Sequence, residues 1–310
     1  MREQQDTDRA QAYIILLLMI LAWGFSWPIA KIGVQYIQPI WFSFSRLLIA
    51  CVTVFTVTAL IGKLRLPQRR EIPIILIVGL AQLGFYQTMI SYGIAHTDAS
   101  RAAILAYLTP FFVTPIAVIV FKEKCSLMKL LGLSSGFIGM LVMFNPFTFD
   151  WSHSHQVFGN ICLMLAAICT AIPMLYIRYT KWTPSPLSVF PWQVLIGAVP
   201  VLIVALISEP IPIIEWNLKF IGAALYCGVI ATAIGYLALV TISRKLPVIN
   251  SSIALLIIPL LGITASNMIL GETLDIHLII AIIFITCGLV LVALSDFLKK
   301  RQQPKIVSHN

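Results

Sequence analysis

The sequence predicts an all-α integral membrane protein with ten transmembrane helices, arranged as two inverted five-helix repeats. Three observations predict this fold: a very apolar composition, ten apolar segments of membrane-spanning length, and a weak internal repeat. Hydrophobic residues make up 59% of the 310 positions and charged residues only 11%, whereas a typical soluble domain has about 25% charged residues. Because such a chain cannot cover a water-facing surface of its own size, we expect it to lie in a lipid bilayer.

The apolar segments give the positions of the ten helices. Each segment is about 20 residues long, the length that an α-helix needs to cross a hydrocarbon core of about 30 Å. The linkers between the segments are short, so we expect no separate soluble domain. The predicted spans are 12–33, 40–61, 72–94, 99–121, 127–146, 157–179, 187–208, 219–240, 248–270 and 276–297.

A repeat with a constant offset relates the two halves of the chain. In both copies a proline precedes a glutamate by 13 residues and a glycine by 29, and the copies lie 149 residues apart. If each half holds five spans, the second half enters the membrane from the opposite side, an architecture common among secondary transporters. We therefore predict one repeat over 12–146 and another over 157–297. The matched residues are Pro110, Glu123 and Gly139 in the first half and Pro259, Glu272 and Gly288 in the second.

The basic residues predict that both termini are cytoplasmic. Seventeen of the 21 lysines and arginines fall on one side of the predicted topology, which the positive-inside rule identifies as the cytoplasmic side. Residues 298–310 form a basic cytoplasmic tail in this prediction. Glu123 lies between two lysines, while Glu272 has no basic neighbour, as expected if the two copies face opposite sides. We treat both glutamates mainly as helix-end or loop residues, and we attribute the net charge of +9 to topology and not to nucleic-acid binding.

Prolines and a glycine inside the spans are candidate hinges. A proline within a helix removes a backbone hydrogen bond and favours a kink, and a glycine allows neighbouring helices to approach closely. Pro28 lies between Trp23 and Lys31, in a stretch that also contains Trp27. Trp27 and Lys31 have two interpretations that the sequence supports equally. They are either functional residues of this stretch, or an aromatic residue and a snorkelling lysine at the membrane interface. The predicted hinge positions are Gly24, Pro28, Pro110, Pro173 and Pro259.

Aromatic and amide side chains within the spans predict a largely neutral, aromatic-lined cavity. Lipid does not favour glutamine or asparagine, so we expect these side chains to point into the bundle. Any one of them alone is also explained by an interhelical hydrogen bond, which contributes about 0.6 kcal/mol on average. The residues predicted to line the path are Trp23, Tyr86, Gln87, Tyr107, Tyr236 and Asn267.

Arg46 is the basic residue predicted to lie deepest in a span. An arginine at the centre of a helix costs about 2.5–3.5 kcal/mol on insertion scales and usually faces protein or water. One interpretation is structural: the side chain reaches the outer interface or binds loop carbonyls. The other is that it orients a carboxylate or phosphate of the substrate, and we therefore include Arg46 among the candidate substrate-binding residues.

The middle of every predicted span lacks aspartate and glutamate. A proton-driven exporter of cationic drugs normally needs a carboxylate at that depth, to bind proton and substrate in turn. Neutral, zwitterionic or anionic metabolites are therefore the better match.

The sequence contains no signature of an enzyme, a metal site or a cofactor site. It lacks a phosphate-binding glycine loop and the HExxH and GxSxG patterns, and His153 and His155 have no acidic or cysteine neighbour. We considered an integral-membrane enzyme, which would need clustered His, Asp or Ser at one membrane face. We also considered a non-transporting membrane sensor or scaffold. Neither alternative accounts for the repeat.

Taken together, these motifs resemble the EamA-type branch of the drug/metabolite transporter superfamily. The resemblance covers about residues 12–297 and includes the repeated proline–glutamate–glycine spacing. In the second copy Gln193 stands where the first has Arg46, so the halves need not contribute alike. The other residues that carry the resemblance are Trp23, Gly24, Phe25, Ser26, Trp27, Pro28 and Lys31 in the first span and Pro39, Phe44 and Arg46 in the second.

The resemblance implies ten helices in two inverted halves around a central cavity. It also implies a secondary transporter that exports, or in some members imports, small metabolites such as amino acids by alternating access. The location expected from this assignment is the bacterial inner membrane, with the lipid bilayer and a small metabolite as partners. Assembly into a homo-oligomer is compatible with this assignment.

Overall fold

All ten predicted spans are helical in the computed structural model, which describes residues 2–122, 125–144, 154–180, 185–214, 216–245 and 248–302. Glu123 and His153 lie outside the described residues, as does the predicted tail beyond residue 302. Eight helices are long and apolar enough to cross a membrane, and two apolar helices are shorter over their described parts. In chain order the spans are Arg2–Gly33, Pro39–Leu60, Arg69–His96, Ala99–Ile119, Leu127–Phe144, Ser154–Tyr179, Pro186–Ser208, 218–245, Val248–Leu270 and Ile276–Gln302.

Spans 3 and 8 each contain a π-helical segment, at matching positions of the two halves. The segments are Val78–Phe85 and Tyr226–Ile234, and their first residues are 148 positions apart, close to the repeat offset. π-Helices are rare and frequently occur at functional sites. The hydropathy of the chain did not reveal them, because an apolar segment reads the same whether its hydrogen bonds span four residues or five.

Span 4 is broken in the middle of the bundle. Its first helix is Ala99–Ala106 and its second is Thr109–Ile119, which has Pro110 in its first turn. A proline suits that position because the first turn of a helix needs no N–H donor. A predicted hinge therefore coincides with an observed helix break. The other predicted prolines lie inside unbroken helices: Pro28, Pro173 and Pro259.

The two halves run in opposite directions through the bundle. Lys31, near the end of span 1, donates a hydrogen bond from Nζ to the carbonyl oxygen of Ile94 over 2.7 Å. The ring of His155, near the beginning of span 6, stacks on that of His96 with centroids 5.6 Å apart. Both contacts are made at the end of span 3. Because span 1 ends where span 6 begins, the first helices of the halves are antiparallel, as the repeat predicts.

Contacts between spans follow the same internal symmetry. Span 1 packs against spans 8 and 9, and span 6, its counterpart, packs against spans 3 and 4. Span 2 contacts span 8 as span 7 contacts span 3. The matched spans 2 and 7 pack on each other, and so do spans 5 and 10. The two repeats therefore form one interleaved bundle, and every site near its centre is built from both halves.

Spans 5 and 10 cross through the glycines that marked the repeat. A Cβ atom added to Gly288 would lie 2.6 Å from the carbonyl oxygen of Gly132 and 2.8 Å from the nitrogen of Gly136. A Cβ on Gly139 would lie 2.7 Å from a side-chain atom of Ile285. Small residues at helix crossings allow close backbone packing in membranes, so we attribute the repeated glycines to this crossing.

Replacing Gly288 with alanine is expected to destabilise the protein by about 1–3 kcal/mol, because the added methyl group forces two backbones apart. Thermal unfolding of the purified protein in detergent measures the effect as a lower midpoint. Gly222→Ala is the matched control, since a Cβ at Gly222 meets no atom within 4 Å, and it should leave the midpoint unchanged or slightly raised. Equal midpoints for the two variants would contradict the packing of this crossing.

Candidate functional site

Arg46 lies in the interior of the bundle and is bonded to span 8. It stands seven residues into span 2, roughly 10 Å along the helix axis, and its side chain is 8% exposed. Its Nε atom donates a hydrogen bond to the hydroxyl oxygen of Thr232 over 2.8 Å. That hydroxyl in turn donates to the carbonyl oxygen of Cys227 over 2.7 Å. Thr232 and Cys227 both belong to the π-helical segment, so this segment fixes the orientation of the guanidinium group.

The two terminal nitrogens of Arg46 have no hydrogen-bond acceptor among the residues that the structure describes. The phenol of Tyr86 lies close enough to the guanidinium group for an electrostatic interaction, and Tyr107 lies within similar reach of Tyr86. The positive charge of Arg46 therefore has one phenol, that of Tyr86, within electrostatic reach, and Tyr107 is a neighbour of that phenol. We refer to Trp23, Arg46, Tyr86, Tyr107 and Thr232 as the central cluster.

Trp23 joins span 1 to the same π-helical segment of span 8. Its Nε1 atom donates a hydrogen bond to the carbonyl oxygen of Ala231 over 2.8 Å. The indole fits because residue 235 is a glycine, and a Cβ at Gly235 would collide with Nε1. The phenol of Tyr226 donates in the other direction, to the carbonyl oxygen of Ala22 over 3.1 Å. Two interhelical hydrogen bonds thus hold span 1 beside span 8.

The remaining predicted path residues are distributed over three places. Gln87 is buried beside Tyr86, and its Oε1 atom has no partner in the described part of the chain. Tyr236 stacks on Phe190 of span 7, with ring centroids 3.9 Å apart. Asn267 is exposed near the end of span 9, where its amide donates to the carbonyl oxygen of Glu272 over 2.6 Å. The structure therefore brings Gln87 near the central cluster and places Tyr236 and Asn267 elsewhere, so their part in the path stays a prediction.

The predicted hinge residues of spans 1 and 9 pack tightly. A Cβ at Gly24 would lie 2.5 Å from Leu261. Pro259 borders, together with Tyr107, a cavity of about 10 Å³, which is room for about one water molecule. A metabolite can enter this part of the bundle only after the helices separate. Any hinge motion at these positions remains a prediction.

Lys31 closes one end of the bundle, which we call the Lys31 end. Its ammonium group donates to the carbonyl oxygens of Ile94 and Thr97, each over 2.7 Å. These carbonyls lie at the end of span 3, where a helix leaves acceptors without intrahelical partners and favours a positive charge. Trp27 is only 5% exposed. Lys31 is therefore a helix cap, and the aromatic-belt interpretation of Trp27 is wrong because its side chain is buried in the bundle.

Glu272 closes the same end from the second half of the chain. Its carboxylate accepts hydrogen bonds from the backbone nitrogens of Ala99 over 2.7 Å and Ser100 over 2.9 Å, and from the Ser100 hydroxyl. These donors begin span 4. Glu209 caps span 2 in the same way, accepting from the backbone nitrogens of Ile40 and Trp41. The prediction that Glu272 lies near a helix end is correct, but the sequence carries no sign that it caps a different helix.

The two interleaved, inverted halves of this bundle agree with a family assignment. The sequence profile of the EamA-like transporter family matches residues 10–145 and 157–294, one copy in each half. The chain belongs to the EamA-like transporter family. It is therefore a multi-pass membrane transporter and not an enzyme. Over the described residues no group of three or more His, Cys, Asp or Glu could hold a metal ion.

Several relatives of this EamA-family chain match it over most of their length. It is 26% identical to the uncharacterized transporter YoaV of Bacillus subtilis, over 88% of this chain and 94% of YoaV. It is 24% identical to a probable amino-acid metabolite efflux pump of Salmonella typhimurium, over 89% and 92%. It is 22% identical to a probable terminal-alkyne amino-acid exporter of Streptantibioticus cattleyicolor, over 85% and 86%. The family that the motifs resembled is thus confirmed.

A solved crystal structure has the same fold as this transporter. The two chains superpose with a TM-score of 0.65, at 17% sequence identity, and the match covers 95% of this chain and 99% of the other. At this level of identity the likeness shows the ten-helix architecture alone.

Replacing Glu272 with alanine is expected to loosen the Lys31 end, because an N-terminal cap contributes about 0.5–2 kcal/mol. We would introduce Ala102→Cys, at a fully buried position of span 4, into a variant whose native cysteines are replaced. Maleimide labelling of that cysteine should then be up to about 5–30 times faster in Glu272→Ala.

Asp275→Ala is the matched control for this labelling. Asp275 lies at the same end but caps span 10, accepting from the backbone nitrogen of Leu278 over 2.6 Å. Its loss should leave the labelling rate at position 102 unchanged. Equal acceleration in both variants would show that the cap on span 4 does not close this end.

Proposed function

We propose that the protein exports small metabolites such as amino acids across the bacterial inner membrane by alternating access. The observation that carries this proposal is the central cluster, because it joins spans 1 to 4 of the first half to span 8 of the second, inverted half. Substrate sites of transporters with inverted repeats typically lie at such an interface, near the middle of the bilayer. The names of the Salmonella and Streptantibioticus relatives favour amino acids and export.

The contacts at the Lys31 end supply the closed side of the cycle in this proposal. Lys31 and Glu272 bind helix ends through hydrogen bonds that water replaces when the end opens. A hydrogen bond that is exchanged for one to water contributes only about 0.5–1.5 kcal/mol net. A few such bonds therefore keep the closed and open states close in free energy, as a transport cycle requires. Gly24 and the four predicted prolines are the proposed points of bending.

The orientation that we propose places the Lys31 end outside and both termini in the cytoplasm. Its support is the distribution of basic residues, 17 of 21 on the side of the termini, together with the positive-inside rule. The end of the bundle that carries Arg65, Arg69 and Arg70 is then cytoplasmic.

Reporter fusions test this orientation. A fluorescent protein joined after Asn310 should fluoresce in whole cells, because it folds in the cytoplasm. Alkaline phosphatase joined at the same position should be inactive, because it needs the periplasm to form its disulfides. Active phosphatase together with a dark fluorescent fusion would overturn the proposed orientation.

Counterflow in liposomes tests the proposed substrate. Vesicles that contain the purified protein and an unlabelled amino-acid mixture should accumulate at least one labelled amino acid above protein-free vesicles. Gly235→Ala should reduce this uptake by about tenfold or more, since the methyl group displaces Trp23 and misplacement by 1 Å at a site can cost about a hundredfold. Gly222→Ala should not reduce it. If wild-type protein moves no amino acid, the amino-acid proposal fails.

Direction is tested in cells. Metabolites in the medium and in the cytosol are compared between cells with and without the gene. Export predicts that the transported amino acid is enriched in the medium of cells that carry the gene, and depletion from that medium would indicate import.

A further inference from the structure

Arg46 carries a positive charge that no carboxylate of the described chain neutralises. Among the described residues, Arg65 forms an ion pair with Glu71, far from Arg46 along the chain. All 12 acidic residues of the sequence lie in loops, in the terminal segments or near span ends. A charge held inside a membrane protein is costly and normally pairs with another group or faces a substrate pathway. Among the described residues, Arg46 therefore has no counter-charge.

The hydrogen bonds of Arg46 leave one edge of the guanidinium group free. Nε is occupied by Thr232, whereas neither terminal nitrogen has an acceptor among the described residues. Two parallel N–H groups on one planar edge match the two oxygens of a carboxylate, and such paired hydrogen bonds are among the strongest in proteins. Thr232 is held in turn by the Cys227 carbonyl, so the free edge has a fixed direction.

The described residues around Arg46 add no second charge. Lys31, near the end of span 1, is engaged with backbone carbonyls at the bundle end. Gln193, the counterpart of Arg46 in the second repeat, is neutral and 1% exposed. Tyr86, which lies within electrostatic reach of the guanidinium group, is a phenol that can donate a hydrogen bond to an anion. The central cluster thus has a net charge of about +1, which attracts anions and repels ammonium groups.

We propose that the free edge of Arg46 binds a carboxylate group of the transported solute, so that the transporter selects carboxylates over the corresponding amines and amides. Thr232 is a positioning residue that aims the guanidinium group. The inference rests on the proposed function, because it names the chemical class of solute that the same site binds. A purely structural Arg46, acting only as a bond between spans 2 and 8, would give no such selectivity.

Ligand binding to the purified full-length protein in detergent tests the inference. The protein is titrated with matched compounds, and tryptophan fluorescence and thermal stabilisation are measured. Alanine is compared with ethylamine, and leucine with isoamylamine. Phenylalanine is compared with phenylethylamine, phenylalaninamide and 3-phenylpropanoate. At least one carboxylate should bind saturably, and its amine and amide should bind at least about tenfold more weakly, the loss expected when a charged hydrogen-bond pair is removed. Phenylpropanoate separates the carboxylate from the amino group.

Variants assign the selectivity to Arg46. Arg46→Gln should bind carboxylate, amine and amide alike. Thr232→Val should keep the preference for the carboxylate but bind it several-fold more weakly, because the guanidinium group loses the hydroxyl that aims it. Arg101→Gln is the matched control, since Arg101 is another part-buried arginine of a span but is not linked to Thr232, and it should behave like wild type.

The inference is overturned if no carboxylate in the panel binds, or if amines bind wild-type protein as well as carboxylates do. It is also overturned if folded Arg46→Gln keeps the preference. Should that variant not fold, Arg46→Lys keeps the charge without the paired edge and should bind carboxylates more weakly, while the wild-type panel decides the question by itself. Selective binding without counterflow would refute only the proposed transport of amino acids and would leave the carboxylate site standing. Counterflow that amines inhibit as strongly as carboxylates do would refute only the carboxylate site.

Discussion

The constraint on which this structure depends is that the middle of a bilayer offers no water to backbone groups. Every N–H and C=O within a span must find its partner in the protein. An unbroken helix satisfies this rule through its own hydrogen bonds. The π-helical segments, the break in span 4 and the span ends contain backbone donors and acceptors that need additional partners. Side chains bind them: Trp23 from span 1 at Ala231, Lys31 from span 1 at Ile94, Glu272 from the second half at Ala99, and Thr232 within its own segment at Cys227.

Those irregular places are also where the two halves meet. The π-helical segment of span 8 receives Trp23 from span 1 and Arg46 from span 2, and the matching segment of span 3 packs on span 7. The Ala231 carbonyl and the Thr232 hydroxyl that bind these two side chains both belong to the π-helical segment. The same groups that complete the backbone hydrogen bonding therefore also position the one uncompensated charge of the central cluster.

Residues at matching positions of the two repeats do not always have the same structural role. Gly139 and Gly288 both serve the crossing of spans 5 and 10, so that pair is equivalent in structure as well as in sequence. Pro110 starts a new helix, whereas Pro259 lies within an unbroken one. Arg46 is matched by the neutral Gln193. A bundle with symmetric helices can thus hold an asymmetric site, which a solute with one charged end requires.

The sequence by itself determined the ten spans, the inverted halves and the family, because hydropathy, positive charge in loops and repeat spacing are properties of residues near one another in the chain. It also predicted Trp23, Tyr86 and Tyr107 as residues that line the path and Arg46 as a candidate substrate-binding residue. Only the tertiary structure decided their partners, since Trp23 and Ala231 lie 208 residues apart and Arg46 and Thr232 lie 186 apart. It likewise turned Lys31 and Glu272 from end residues into caps of other helices, because a cap between helices depends on packing and leaves no periodic pattern in the sequence.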